Sequence, residues 1–297
     1  MEKITAIGEI LFDVYPETIN LGGAPLNFLY HIHKLTGKGS IISRVGFDVL
    51  GNKAIKFLKN NEIETNYIQV DHLHPTGVTT VTLDKNKVPS FIIDEERAYD
   101  YLELTDEVNQ LINEETDCLY FGSLAQRNEV SKSTIHNLLG RRIKYFCDLN
   151  IRQDFYNEDT IKKSLKAANI LKLNLEELKL INDLLLGEKF NTDTSAKGIM
   201  NKFNIELIAV TKGAEGSTLF INNDKDDCRI SSSAAIDTLG AGDAFAAITC
   251  LGYIRNWNLA KINSLANEFA NQICQIKGAL PQEDDIYEML KEKFNEE

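Results

Sequence analysis

The stretch IDTLGAGDAFAAITCLGYI, from Ile236 to Ile254, runs a Gly-Ala-Gly turn directly into an apolar helical segment. Gly240 and Gly242 tolerate positive φ and close backbone approach, and the unpaired N–H groups of a first helical turn point outward. Gly240, Ala241 and Gly242 therefore make a candidate anion site. Asp243 sits in the same turn, where it cannot itself hold a phosphate because like charges repel. The pairing has a chemical use if the amides from Gly240 to Asp243 stabilise a transferring phosphoryl group while the Asp243 side chain, as general base, takes the proton of an attacking hydroxyl. Taken alone, the glycines would equally suit an ordinary turn, with Asp243 complementing the helix dipole. No G-x-x-x-x-G-K-[ST] loop occurs, and GAGDAF lacks the third small residue of the dinucleotide fingerprint, which disfavours a dehydrogenase.

Other segments offer polar groups at the ends of apolar runs. Gly22-Gly23 would let the backbone pass close to a ligand, Pro25 suits a first helical turn, and Asn27 can both donate and accept. DLNIR places Asn150 and Arg152 after a strand, where ligands bind in open α/β sheets; Arg152 could neutralise phosphate or form a surface salt bridge. KLNLEEL sets Asn174 and Glu177 three apart at a strand-to-helix junction, so both face the same way; alone, they read as a cap with an acidic first turn. Asp13, at a strand end, reads alone as solvated.

DTLGAGDAFAA resembles the C-terminal signature of the ribokinase-like (phosphofructokinase B) carbohydrate kinases, and GGAPLN followed by SRVG resembles their N-terminal signature. Two signatures in the right order are far more specific than either alone. The resemblance spans nearly the whole chain and implies one α/β domain over 1–297, doubly wound around a mainly parallel sheet flanked by helices, with a small β-sheet lid from about 14–24 and 72–103. It implies ATP and Mg²⁺ as cofactors, with K⁺ as a further cation. On the sugar side it points to Asp13, Gly22, Gly23, Asn27, Tyr99 and Arg152. On the nucleotide side it points to Asn174, Thr211, Gly213 and Gly216, with Gly240 and Gly242; VTKGAEGS matches the nucleotide-binding turn. Glu177 would serve Mg²⁺ through water, and Asp237 the monovalent cation.

The runs GEILFDVYP, ERAYDYLEL and DLNIR look more like fructokinases than ribokinases or nucleoside kinases. A sugar already phosphorylated would need Arg or Lys at its second phosphate, and Arg44, Arg97, Lys85 and Lys87 are the evident candidates. A neutral sugar is expected. Ribose, 2-keto-3-deoxygluconate or a nucleoside are alternative acceptors, and a non-catalytic sugar sensor is an alternative of another class, opposed by an intact GAG turn with its carboxylate.

These groups need a scaffold. Short β-rich runs (ITAIGEI, GSIISRVG, CLYFGSL, IKYFCDLN, NILKLN, IELIAVT) alternate with helical ones (APLNFLYHIHKLTG, VLGNKAIKFLKNNE, LEELKLINDLLLG), the pattern of a parallel sheet. GVTTVTLD and SFIIDE break the alternation as a hairpin around Lys85-Asn86-Lys87, either a separate lid sheet or an antiparallel extension of the main one. At 297 residues the chain can bury a full core, and a net charge of −12 argues against nucleic acid or an anionic membrane as main partner. Five cysteines without a C-x-x-C pair read as reduced thiols, and Glu9 and Asp13 interrupt the apolar N-terminus, unlike a signal peptide; a cytoplasmic protein is expected. His31 and His33 point to different helix faces, and His72 and His74 lack a third ligand, so neither pair is expected to hold a metal. A homodimer through the lid is expected from its exposed sheet.

Overall fold

The computed structural model describes residues 2–83, 89–222, 224–230 and 235–294. Its main sheet has nine strands: β1 (Ile4–Ile7), β4 (Ser40–Gly46), β5 (Ile68–Asp71), β8 (Cys118–Gly122), β9 (Lys144–Asp148), β10 (Ile170–Asn174), β11 (Leu207–Thr211), β12 (Ser217–Ile221) and β13 (Asp224–Cys228). They lie in the order β13-β12-β11-β10-β9-β8-β1-β4-β5, parallel from β11 through to β5, with β12 and β13 antiparallel at one edge. Strands such as CLYFG are buried at every position because helices cover both faces.

Side-chain alternation sorts the two layers. Cys118 and Tyr120 join a core with α1 (Ala24–Thr36), α2 (Val49–Asn60), α8 (Ala241–Ile254), α9 (Leu259–Ile273) and α10 (Asp285–Phe294). Leu119 and Phe121 face the other core, with α3 (Asp106–Glu114), α4 (Glu129–Leu138), α5 (Glu158–Ala167), α6 (Leu175–Ile181) and α7 (Thr192–Phe203). Phe28 of α1 stacks on Tyr120 with ring centroids 4.0 Å apart, seating the start of α1 over the end of β8.

The remaining strands, β2 (Leu11–Val14), β3 (Ile19–Gly22), β6 (Gly77–Leu83) and β7 (Pro89–Ile93), form a separate sheet in the order β3-β2-β6-β7. The hairpin is therefore no extension of the main sheet. Its expected turn at Lys85-Asn86-Lys87 lies outside the described residues. The small sheet is tied to the main one by the short passage from β1 to β2, which sets Asp13 of β2 near the carboxyl ends of the parallel strands. Two details differ from the sequence reading. The helix expected over LEELKLINDLLLG stops at Ile181 and widens into a π turn, Asn182–Leu186, closed by Gly187 at φ +68°. The charged run DKDDC is an edge strand.

His31 is fully buried in the core, with Nδ1 2.9 Å from the Tyr287 hydroxyl and Nε2 without a partner among the described residues. Among the described residues no helix is long and apolar enough to cross a membrane, and no three His, Cys, Asp or Glu side chains gather to hold a metal ion.

Candidate active site

The start of α8 faces the carboxyl ends of β9 and β10. Gly240 is its N-cap at φ +77°, and a Cβ there would lie 2.5 Å from Ala279 Cβ and 2.7 Å from Ala279 Cα. Only glycine fits both the conformation and the space. Of the amides beyond it, Gly242 N has no partner among the described residues, and Ala241 N reaches Thr238 O at a long 3.4 Å. The Asp243 amide, expected to join them, is instead committed to Gly240 O at 3.1 Å. That leaves the Gly242 amide unpaired and the Ala241 amide weakly held, because the left-handed cap tightens the turn onto its own third residue.

Asp243 is partly exposed, and its Oδ2 accepts from Asn27 Nδ2 at 2.8 Å, joining the starts of α8 and α1. Burial and then the Asp148 charge raise its pKa to about 7, against the pull of Asn27, Lys172 and Arg152. Beneath the turn lies a pair that sequence reading missed. Lys172 Nζ donates to Asp148 Oδ1 and Oδ2 at 3.0 and 2.9 Å, and the Tyr120 hydroxyl donates to Oδ2 at 3.2 Å. A Cβ at Gly242 would come within 3.4 Å of that Nζ. A buried cation thus underlies the free amide. The available signal was a lysine on an interior strand, NILKLN, where a charge demands a partner.

On the other side of Asp243, Gly23 caps α1 at φ +111°, and its missing Cβ leaves room for Glu9 O, which would stand 2.4 Å away. A Cβ at Gly22 would similarly lie 3.1 Å from Asp13 Oδ2. Asp13 is buried; desolvation lifts its pKa to about 6, offset in part by the Arg152 charge and a hydrogen bond from Thr79. Glu9, noticed in the sequence only as an interruption, is buried beside this group, and desolvation raises it to about 7. Tyr99 is fully buried with its hydroxyl unpartnered. Arg152 is exposed, yet its charge bears on Glu9, Asp13 and Asp243 together.

Toward β10 and β11, Asn174 and Glu177 form a reciprocal capping box: Asn174 Oδ1 accepts from Glu177 N and Glu177 Oε2 from Asn174 N, both at 2.8 Å. Glu177 Oε1 also accepts from Ile151 N at 2.7 Å, fixing the segment that carries Arg152. Both carboxylate oxygens are thus engaged with amides. Thr211 ends β11, and the turn after it is shaped by Gly213 at φ +58° and Gly216 at φ +93°, where a Cβ would strike Cys228 O at 2.0 Å. Asp237 accepts from Leu239 N and from Gly278 N, both at 3.0 Å, clasping the approach to α8 to the loop that carries Ala279.

Residues 1–285 match the model of the pfkB family of carbohydrate kinases. The chain belongs to that family. It is 31% identical to an uncharacterized sugar kinase, PH1459, of Pyrococcus horikoshii over 95% of this chain and 94% of that one. An Escherichia coli fructokinase is 28% identical over 82% of each chain. The structure of PH1459 in complex with ATP superposes with a TM-score of 0.79 at 26% identity, covering 97% of this chain and 99% of that one. A Vibrio cholerae fructokinase variant with fructose, ADP and potassium bound superposes at 0.81 and 21% identity, covering 98% of each chain.

The kinase's structure brings Asp243, Asn27 and the Gly240–Gly242 turn together, with Arg152 within electrostatic reach of both Asp243 and Asp13; Asn174, Thr211, Gly213 and Gly216 lie along the ends and following turns of β10 and β11. The close approach at Gly240 predicts a large effect for Gly240→Ala. Left-handed strain alone costs about 1–3 kcal/mol, and the clash with Ala279 backbone adds to it. Gly187→Ala, at φ +68° with nothing within 4 Å of its Cβ position, is the control carrying strain alone. Urea unfolding should show Gly240→Ala losing clearly more stability than Gly187→Ala, with turnover falling in the former only.

Proposed function

We propose that this kinase transfers the γ-phosphoryl group of ATP to a hydroxyl of a small neutral sugar, fructose foremost. The observation that carries the reading is the Asn27–Asp243 hydrogen bond beside the unpartnered Gly242 amide, which sets a proton acceptor next to an anion site. The sugar hydroxyl oxygen forms a bond to the γ-phosphorus, the bond from that phosphorus to the β–γ bridging oxygen breaks, ADP leaves with the electron pair, and Asp243 takes the hydroxyl proton. The Gly242 amide and the Lys172 cation oppose the developing negative charge.

Mg²⁺ suits the site as an ion held by nucleotide phosphates and water rather than by a protein cage, with Glu177 at its margin through water. When bound, it supplies further charge neutralisation at the phosphates. Asp237 is proposed to help hold K⁺. The small sheet would act as the lid that excludes water, as Asp13 on β2 and nearby Tyr15 feel the Asp237 charge. Exposed Ile19 and Ile92 on that sheet would let two lids pair in a homodimer. Five cysteines without a disulfide accord with a cytoplasmic setting.

A neutral acceptor is favoured because two of the arginines that might meet a second phosphate are occupied: Arg44 pairs with Asp71 at 2.9 Å and Arg97 with Asp94 at 2.5 Å. Kinship with fructokinases points to fructose. One observation favours a second acceptor: Arg152 is exposed and has no ion-pair partner among the described residues, so a sugar acid such as 2-keto-3-deoxygluconate would find a cation there. ADP release with Mg·ATP against fructose, ribose, 2-keto-3-deoxygluconate, fructose 6-phosphate and adenosine decides between them. Preference for fructose is the expected result. Preference for the sugar acid would move the substrate to the second reading, and no turnover with any of the five would overturn both.

A further inference from the structure

Three buried polar atoms have no partner: Glu9 Oε2, Asn27 Oδ1 and the Tyr99 hydroxyl. They come from three separate segments, the passage from β1 to β2, the first turn of α1 and the segment after β7. They lie on adjoining segments: Asn27 is hydrogen-bonded to Asp243, a Cβ at Gly23, where α1 begins, would stand 3.4 Å from Glu9 Cγ, and one at Gly77 would meet both the Tyr99 ring at 2.6 Å and Leu11 Cβ, two residues beyond Glu9, at 2.9 Å. An unmet buried polar atom costs about 1–3 kcal/mol, and folded proteins contain few. Three of them on adjoining segments beside the start of α8 point to an occupant rich in hydroxyls.

Glu9 is 3% exposed. Its carboxyl accepts from its own amide and that of Ala24, at the start of α1, and this anchors the group without using Oε2. A residue needed only to cap α1 would have no reason to bury a second oxygen unmet. We infer that Glu9 is a specificity-determining sugar ligand, its free oxygen holding one hydroxyl other than the one that is phosphorylated. The inference rests on the proposed reading of this region as a sugar site.

Its test is calorimetric binding without ATP of fructose and its monodeoxy analogues to the wild type, Glu9→Met and Glu9→Gln. Glu9→Met keeps the volume and removes the ligand. Glu9→Gln keeps an oxygen for the Ala24 amide, so it preserves the cap, and puts a donor where the free acceptor stood. In the wild type, the analogue lacking the held hydroxyl should bind roughly 10–100-fold more weakly than fructose. In Glu9→Met that difference should collapse to near unity at this one position. In Glu9→Gln it should change at the same position, while discrimination at the other positions is kept in both. A folded variant of either kind that discriminates against every analogue as the wild type does would reduce Glu9 to a helix cap and overturn the inference. A wild type that binds no sugar would instead remove the sugar reading, and the role of Glu9 with it.

Discussion

Asp243→Asn is expected to lower kcat by about 10²–10⁴-fold, the range carried by a positioned general base, while the sugar dissociation constant changes less than about threefold. The amide oxygen of Asn can still accept from Asn27 Nδ2, so the join between α8 and α1 survives and only proton acceptance is lost. The pH profile carries an independent signature. Because burial and Asp148 place the pKa of Asp243 at about 7, wild-type kcat should rise as pH climbs through 7 and then level off. The residual rate of the variant should lack that step.

Stability moves the opposite way. A carboxyl whose pKa rises from 3.8 to about 7 on folding keeps a proton that the unfolded chain gives up, so its contribution declines as pH rises through that window. At pH 8 the ligand-free variant should therefore be more stable than the wild type by roughly 2–4 kcal/mol, allowing for some solvent contact, and the gap should close toward pH 4. Wild-type turnover in Asp243→Asn would remove Asp243 as the base.

The Gly-Ala-Gly turn was legible because its signals are local. A Gly-Ala-Gly run before an apolar helix says where φ turns positive and where amides are exposed, and Gly240 and Gly242 lie there. The parallel sheet was equally legible from alternating strand and helix patterns. What escaped was whatever depends on a partner far along the chain. Lys172 finds Asp148 only because β9 and β10 are neighbours with those two residues in register. Glu9 looked like a flaw in an apolar run until the fold buried it beside Asp243, more than half the chain away. The Asp243 amide was misjudged for a subtler reason: spacing shows that a helix begins, but not that a left-handed cap folds the carbonyl of Gly240 back onto that amide. DKDDC went unread because an edge strand needs no apolar face, and its charges hinder pairing with other chains.

Lys172→Met should lose both stability and turnover, and a second substitution separates the two. Burial works against the lysine's charge, but Asp148 alongside more than restores it, so the lysine keeps its charge inside the protein. Removing the cation strands the Asp148 carboxylate with the Tyr120 hydroxyl alone, which costs about 3–5 kcal/mol by the measure of other buried pairs. Replacing Asp148 with Asn in the same chain removes the stranded charge, so Lys172→Met/Asp148→Asn should regain most of that stability. Turnover should not follow, because the cation beneath the Gly242 amide is missing from both variants; a loss of roughly 10²–10³-fold in kcat is expected in each, the scale of one lost electrostatic donor. Asp243 reports on the same change. Lys172 lowers its pKa and Asp148 raises it, so the pH midpoint of the residual rate should shift upward in the single variant and return toward the wild-type position in the double. If the double variant recovers turnover along with stability, the pair only holds the sheet together, and the charge opposing the transferred phosphoryl group must come from the amides of α8 and the ions that accompany the nucleotide.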